Sequence, residues 1–160
     1  MLTCTTVYSQ LAILDTCQPV TFASSFDSVE CSLVQVPLTA NATLSLAYIY
    51  RRPSSDLSHL NTAIPQLLST LETYQSSNTE TQHFVLIMSD FKLDWYLEST
   101  QSTMTSILPG YRQIVSEYTT DYRPILDHVH TNIPSDVVQC FTAESYFSDH
   151  KPVIATLHRN

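Results

Sequence analysis

The run Phe84–Met88 is apolar at five consecutive positions and leads directly to Asp90 and then Lys92. A continuous apolar run of that length is a strand built to be buried, so the rest of the chain must supply the layers that cover it. Part of that cover is visible upstream. Leu57, Leu60, Ile64, Leu67, Leu68, Leu71 and Tyr74 recur three and four positions apart, the stripe of an amphipathic helix. Ser55 or Asp56 can serve as its N-cap, and Pro65 inside the pattern predicts a kink or a late start.

Ahead of the helix, "VECSLVQVPL" (Val29 to Leu38) alternates, with Val29, Cys31 and Leu33 on one face, and breaks at Pro37. "TLSLAYIY" (Thr43 to Tyr50) places Leu44, Leu46, Tyr48 and Tyr50 on one face, and the short "TAN" between the two segments reads as a hairpin turn. After the buried strand, "LESTQSTMTSILP" is a weaker helix that Pro109 and Gly110 would stop. Short strands follow in "RQIVSEY", "PILDHVHT", "DVVQCF" and "PVIATL". Strands alternating with two helices, the hairpin antiparallel, predict an α/β layered domain with a mixed sheet. A chain of 160 residues suits one such domain and not two.

Fifteen acidic and seven basic side chains leave a net charge of −8. That balance repels a phosphate backbone at long range and argues against a general nucleic-acid coat protein. It is compatible with an enzyme whose acids hold metal ions that in turn hold a phosphate. Gly110 is the one glycine, so turns fall to Asn, Asp, Ser and the eight prolines. The four cysteines (Cys4, Cys17, Cys31, Cys140) are scattered, with no C-x-x-C pair, and read as reduced thiols of an intracellular protein. "MLTCTTVYSQLAILD" lacks the basic start of a signal peptide, and no apolar run approaches the roughly 20 residues of a membrane span. The expectation is a cytoplasmic or nuclear protein without a membrane partner.

Chemistry gathers where apolar strands end. "VLIMSDFK" ends at Asp90 and Lys92, "PILDHVHTN" carries Asp127, "YFSDHKPV" carries Asp149 and His150, and "AYIYRRP" ends in Tyr50, Arg51 and Arg52. Strand ends in a layered α/β domain cluster along one rim, and carboxylates gathered there suit a hard divalent cation. His128 and His130 share one strand face, read here as solvent-facing, with a metal pair as the alternative. Trp95 and Tyr96 are read as packing over the strand end, with base stacking as the alternative.

"YRRP", "SDFK", "LDHV" and "SDH", in that order and with a helix after the first, resemble the motifs of the endonuclease/exonuclease/phosphatase superfamily. "LDHVHTN" with "YFSDHKPV" resembles most the reverse transcriptase-associated endonuclease domains of non-LTR (LINE-type) retrotransposons. The resemblance implies a layered α/β sandwich with mixed sheets flanked by helices. It also implies hydrolysis of the DNA phosphodiester backbone with Mg²⁺ or Mn²⁺ and no small-molecule cofactor. By the same resemblance His150, oriented by Asp127, handles the attacking water or the phosphate. Asp149 is a metal carboxylate, Asp90 positions the nucleophile or a metal, and Tyr50 hydrogen-bonds the scissile phosphate. Arg51 and Lys92 lie where substrate passes.

The sequence departs from the family pattern in two ways. Where the family has Asn, this chain has Lys92, whose ammonium only donates and would pair with Asp90 in competition with a metal; Ser89 also replaces a glycine. Nothing before Val29 reads like the family's first strands, which carry an Asn and a metal-binding Glu, and Glu30 sits on what reads as a later strand. The expectation is a single, N-terminally truncated domain over residues 1–160, with a nicking activity impaired by Lys92 and by the missing ligand. A catalytically inactive remnant or interaction module is the alternative, and a phosphatase for small phosphate esters a third.

Overall fold

The computed structural model describes residues 2–7, 10–11, 18–20, 29–77 and 79–158, the first three stretches by their strand pairing alone. Ten strands and two helices follow one another along them. β1 (Leu2–Val7), β2 (Gln10–Leu11) and β3 (Gln18–Val20) precede the hairpin β4 (Val29–Thr39) and β5 (Ala42–Arg51). Helix α1 (Ser58–Ser77) leads into β6 (Gln82–Asp90), and α2 (Glu98–Ile107) into β7 (Arg112–Gln113). β8 (Asp127–Thr131), β9 (Val138–Thr142) and β10 (Val153–Leu157) complete the chain. Strand patterning predicts none of the first three strands; the remaining elements stand where periodicity places them, although "RQIVSEY" forms only a two-residue strand.

The strands form two sheets, one ordered β2-β1-β10-β9 and the other β3-β4-β5-β6-β8-β7. The larger sheet is mixed: β5 and β6 run parallel, joined by α1, while β4–β5 and β6–β8 are antiparallel. It is buried on both faces, which is what the apolar run in β6 demands. Leu44 and Leu46, with Leu86, Met88 and Val129, face Val138, Val153, Ala155 and Leu157 of the smaller sheet. On the opposite face Ala47, Ile49, Val85 and Ile87 pack under Leu60, Ala63, Ile64, Leu67 and Leu71 of α1 and Met104 of α2.

Helix α1 is held by that stripe more than by its own propensity. Burying each large aliphatic side chain contributes about 1.5–3 kcal/mol relative to exposure, and Leu60, Ile64, Leu67 and Leu71 are all fully buried. Asp56 caps its start, accepting the Ser58 N–H at 2.7 Å. The late start predicted from Pro65 does not occur. The proline faces solvent, where water can hydrate the carbonyl left without a partner, and the helix runs through it. Helix α2 ends at Leu108, and Gly110 follows at φ 82, a conformation only glycine adopts cheaply.

His128 and His130 do not face solvent. Both rings lie in the helix-side layer, edge-on to Trp95 at 5.4 and 5.7 Å between centroids, with Phe91 beside them. The cover comes from the segment after β6, a non-local contact that alternation along β8 does not reveal. Trp95 therefore packs, as read from the sequence.

Candidate active site

One rung of the larger sheet sets the site. Glu30 pairs with Tyr50, Tyr50 with Asp90, and Asp90 with Asp127, across β4, β5, β6 and β8. Register partners on neighbouring strands put their side chains on the same face about 5 Å apart. All four line a single cleft of about 390 Å³ at the rim of the sandwich. His150 enters the cleft from just ahead of β10, in the other sheet, and a β-bridge to Thr120 fixes its backbone.

His150 Nδ1 lies 2.8 Å from Asp127 Oδ2, so the imidazole donates to a carboxylate that fixes its tautomer and orientation. That hydrogen bond is the main reason the His150 pKa is raised. Oxygens of Asp90 and Asp127 and a ring nitrogen of His150 all lie within 4.8 Å of one another. Burial raises the Asp90 pKa, opposed by its bond to Lys92. Its Oδ1 is buried and has no hydrogen-bond partner among the described residues. Tyr48, two residues before Tyr50 on the same face, is pushed up to about 12 by burial and by Asp90 and Asp127, so its phenol keeps its proton.

Lys92 closes the constellation. Its Nζ lies 2.7 Å from Asp90 Oδ2 and 3.0 Å from His150 Nε2. The loop that delivers it takes a left-handed backbone, φ 54 at Lys92, which a lysine adopts at a cost of about 1 kcal/mol and an asparagine more readily. Arg51 holds this loop in place from behind. Its guanidinium donates from Nε to Phe91 O at 2.6 Å, from one terminal nitrogen to Ser55 O at 2.6 Å and from the other to Lys92 O at 3.2 Å. With 6% of its surface exposed, Arg51 does not line the cleft.

The structure thus brings Tyr50, Asp90, Lys92, Asp127 and His150 together. It leaves Arg51 behind the cleft and Asp149 outside the cluster. Asp149 stands in a bend and is exposed, its carbonyl accepting from Asp121 N at 3.1 Å. Glu30 is the residue that sequence reading set aside. Counting back from the Thr39–Ala42 pair would put Glu30 opposite Arg51. The bulge between Pro37 and Thr39 shifts the register by one and sets it opposite Tyr50. There it also meets Arg52, 3.4 Å away.

The two carboxylates suit a hard divalent cation, and among the described residues one buried carboxylate oxygen, Asp90 Oδ1, is left without a partner. The misfit is the Lys92 ammonium, already bonded to the other Asp90 oxygen.

No protein-family model matches the sequence, and no curated protein matches it. Solved structures do match. The human Nocturnin catalytic domain with bound sulfate anion is similar at a TM-score of 0.56 and 12% identity, over 92% of this chain and 63% of that one. D. rerio TDP2 complexed with single strand DNA product is similar at 0.55 and 11% identity, over 89% and 67%. Cytolethal distending toxin from Actinobacillus actinomycetemcomitans is similar at 0.52 and 16% identity, over 80% and 53%. These neighbours have the endonuclease/exonuclease/phosphatase fold, and this chain shares that fold. It spans less than two thirds of the Nocturnin domain.

Proposed function

We propose that the chain is a metal-assisted phosphodiester hydrolase of the DNA-nicking endonuclease type, derived from a non-LTR retrotransposon and slowed by Lys92. The observation that carries this reading is the Asp127–His150 hydrogen bond, 2.8 Å long, beside a second carboxylate at Asp90. It is supported by a fold shared with TDP2, whose structure holds a single-stranded DNA product.

Asp90 and Asp127 would hold a divalent cation, Mg²⁺ or Mn²⁺, which when bound neutralises charge on the phosphate oxygens. Tyr50, on the same rung, donates its phenolic hydrogen to a phosphate oxygen. His150 takes a proton from water at Nε2 while Asp127 steadies the imidazolium through Nδ1–H. Lys92 opposes both steps, because its ammonium occupies one Asp90 oxygen and the lone pair of Nε2. Swung aside, it can contact a phosphate oxygen as a point charge. Asp149 would act as a further metal ligand only after turning inward.

The same two contacts favour a second reading, a catalytically inactive remnant that keeps the fold as an interaction module. Nicking of supercoiled plasmid with Mg²⁺ and then Mn²⁺ separates the two, using the parent, His150→Ala and Lys92→Asn. Nicking by the parent that disappears with His150→Ala supports the hydrolase. Activity in Lys92→Asn alone places the lesion at position 92. Silence in all three folded proteins favours the remnant.

A further inference from the structure

Between β9 and β10 the chain makes a loop whose base is tied shut. Ala143 N donates to Pro152 O at 2.9 Å, Lys151 pairs with Glu144 at 2.8 Å, and His150 N donates to Ser148 Oγ at 2.9 Å. At the tip of this tied loop stand Tyr146 and Phe147, 94% and 81% exposed. Rings this exposed bury little surface against the described residues, and adjacent exposed aromatics mark a contact surface. The position of this pair is specific: Phe147 lines the cleft that holds Asp90, Asp127 and His150. A second loop, carrying Tyr122 at 83% exposure, is bonded to the same segment through Asp121 N and Asp149 O.

We propose that Tyr146 and Phe147 form a nucleobase-stacking platform at the mouth of the cleft, so that the ligand is a single-stranded polynucleotide and not a bare phosphate ester. The proposal deepens the phosphodiesterase reading above and rests on it. Three observations choose the occupant. The platform adjoins a floor where Lys92 and Lys151 are each already paired with a carboxylate, among Glu30, Asp90 and Asp127, so the rings and not a free cation must supply the grip on a ligand. The net charge of −8 disfavours holding a duplex by its phosphates, whereas stacking is indifferent to charge and works on any base. A duplex keeps its base faces inside the stack, while an unpaired strand offers them to a loop tip. The ties at the loop base keep the rings on display before the ligand arrives, which lowers the ordering cost of binding.

The test compares a short fluorescein-labelled oligothymidylate with an abasic oligomer of equal length, by anisotropy in EDTA, where no hydrolysis occurs. The proteins are the parent, Tyr146→Ala/Phe147→Ala, and Phe141→Ala as a control on an exposed aromatic of β9. The parent is expected to bind the base-bearing oligomer at least about tenfold more tightly than the abasic one. The double variant loses that preference and Phe141→Ala keeps it. Equal binding of the two oligomers by the parent overturns the platform, as does a preference that survives in the double variant. Sedimentation showing that the pair instead holds two copies of the chain together, with no base preference, overturns it too. Plasmid nicking in Mg²⁺, measured separately, reports on the hydrolase reading, so a protein that nicks without base preference loses only the platform.

Discussion

Lys92 and His150 stand 58 residues apart in the chain, yet Nζ of one lies 3.0 Å from Nε2 of the other. The same ammonium binds Asp90, so one side chain joins the carboxylate of β6 to the imidazole that Asp127 orients. A cation that is part of the chain bonds two of the three groups that could hold a metal ion.

Replacing Lys92 by Asn removes the competitor and suits the left-handed backbone at that position. Mn²⁺ affinity measured by calorimetry should rise by at least about tenfold, since the Asp90 carboxylate no longer shares its oxygen with an ammonium. A variant that binds Mn²⁺ no better than the parent would show that Lys92 does not compete.

Asp127→Asn keeps the shape of its side chain but withdraws the carboxylate that raises the His150 pKa. The His150 titration, followed by NMR, should move to lower pH. Whatever nicking the parent shows should fall about 10²- to 10⁴-fold, the range of a positioned acid–base group. An unchanged His150 titration would refute the orienting role.

Arg51 gives a prediction about stability. Its guanidinium bonds three carbonyls from a buried position, and removing it leaves them without donors. Arg51→Met should lower the unfolding free energy by about 2–4 kcal/mol in urea titrations. Arg51→Lys should not restore it, because an ammonium cannot reach three directions from one fork. Full stability in either variant would remove Arg51 as the clamp behind the cleft.

Acid should destabilise the fold through the buried histidines. Burial, aided by the neighbouring His128, pushes His130 down to about 3, and burial lowers His128 as well. Each folded-state pKa lies below its unfolded value, so the unfolded chain binds the extra protons. Stability is then full above about pH 6.5 and falls as pH drops toward the folded-state values. His130 alone should cost about 2 kcal/mol between pH 6.5 and about pH 5. His130→Leu should flatten that slope in denaturation curves collected across this window. A slope identical to the parent's would mean the imidazole is already charged in the folded protein.

Much of the architecture was legible because it follows from short-range pattern. Leu44, Leu46 and Tyr48 share the sandwich face their alternation predicts, and the α1 stripe buries Leu60, Ile64, Leu67 and Leu71, while Leu57 lies ahead of the helix and is exposed. The catalytic candidates were legible as strand-end residues, and four of them converge: Tyr50, Asp90, Asp127 and His150. What escaped depends on contacts between distant segments. The direction of Arg51 is set by the Phe91–Lys92 loop, and the burial of His128 and His130 by Trp95 and Phe91. Glu30 escaped because a single bulge, invisible to alternation, decides which residue it faces.

The rung Glu30–Tyr50–Asp90–Asp127 ties the inheritance of the site to the inheritance of strand alignment. Asp90 is the hinge of that arrangement, held on one side by parallel pairing to β5 and on the other by antiparallel pairing to β8, so neither partner can slide without carrying its carboxylate or phenol away. Glu30 is coupled differently, through a tight turn that already carries an irregularity. Gaining or losing one residue there would set Val29 or Cys31 opposite Tyr50 and turn every β4 side chain to the other face, taking Val34 and Val36 out of the sandwich core. The alignment that buries the apolar residues of β4 is therefore the same alignment that puts Glu30 in the cleft, and neither can change without the other.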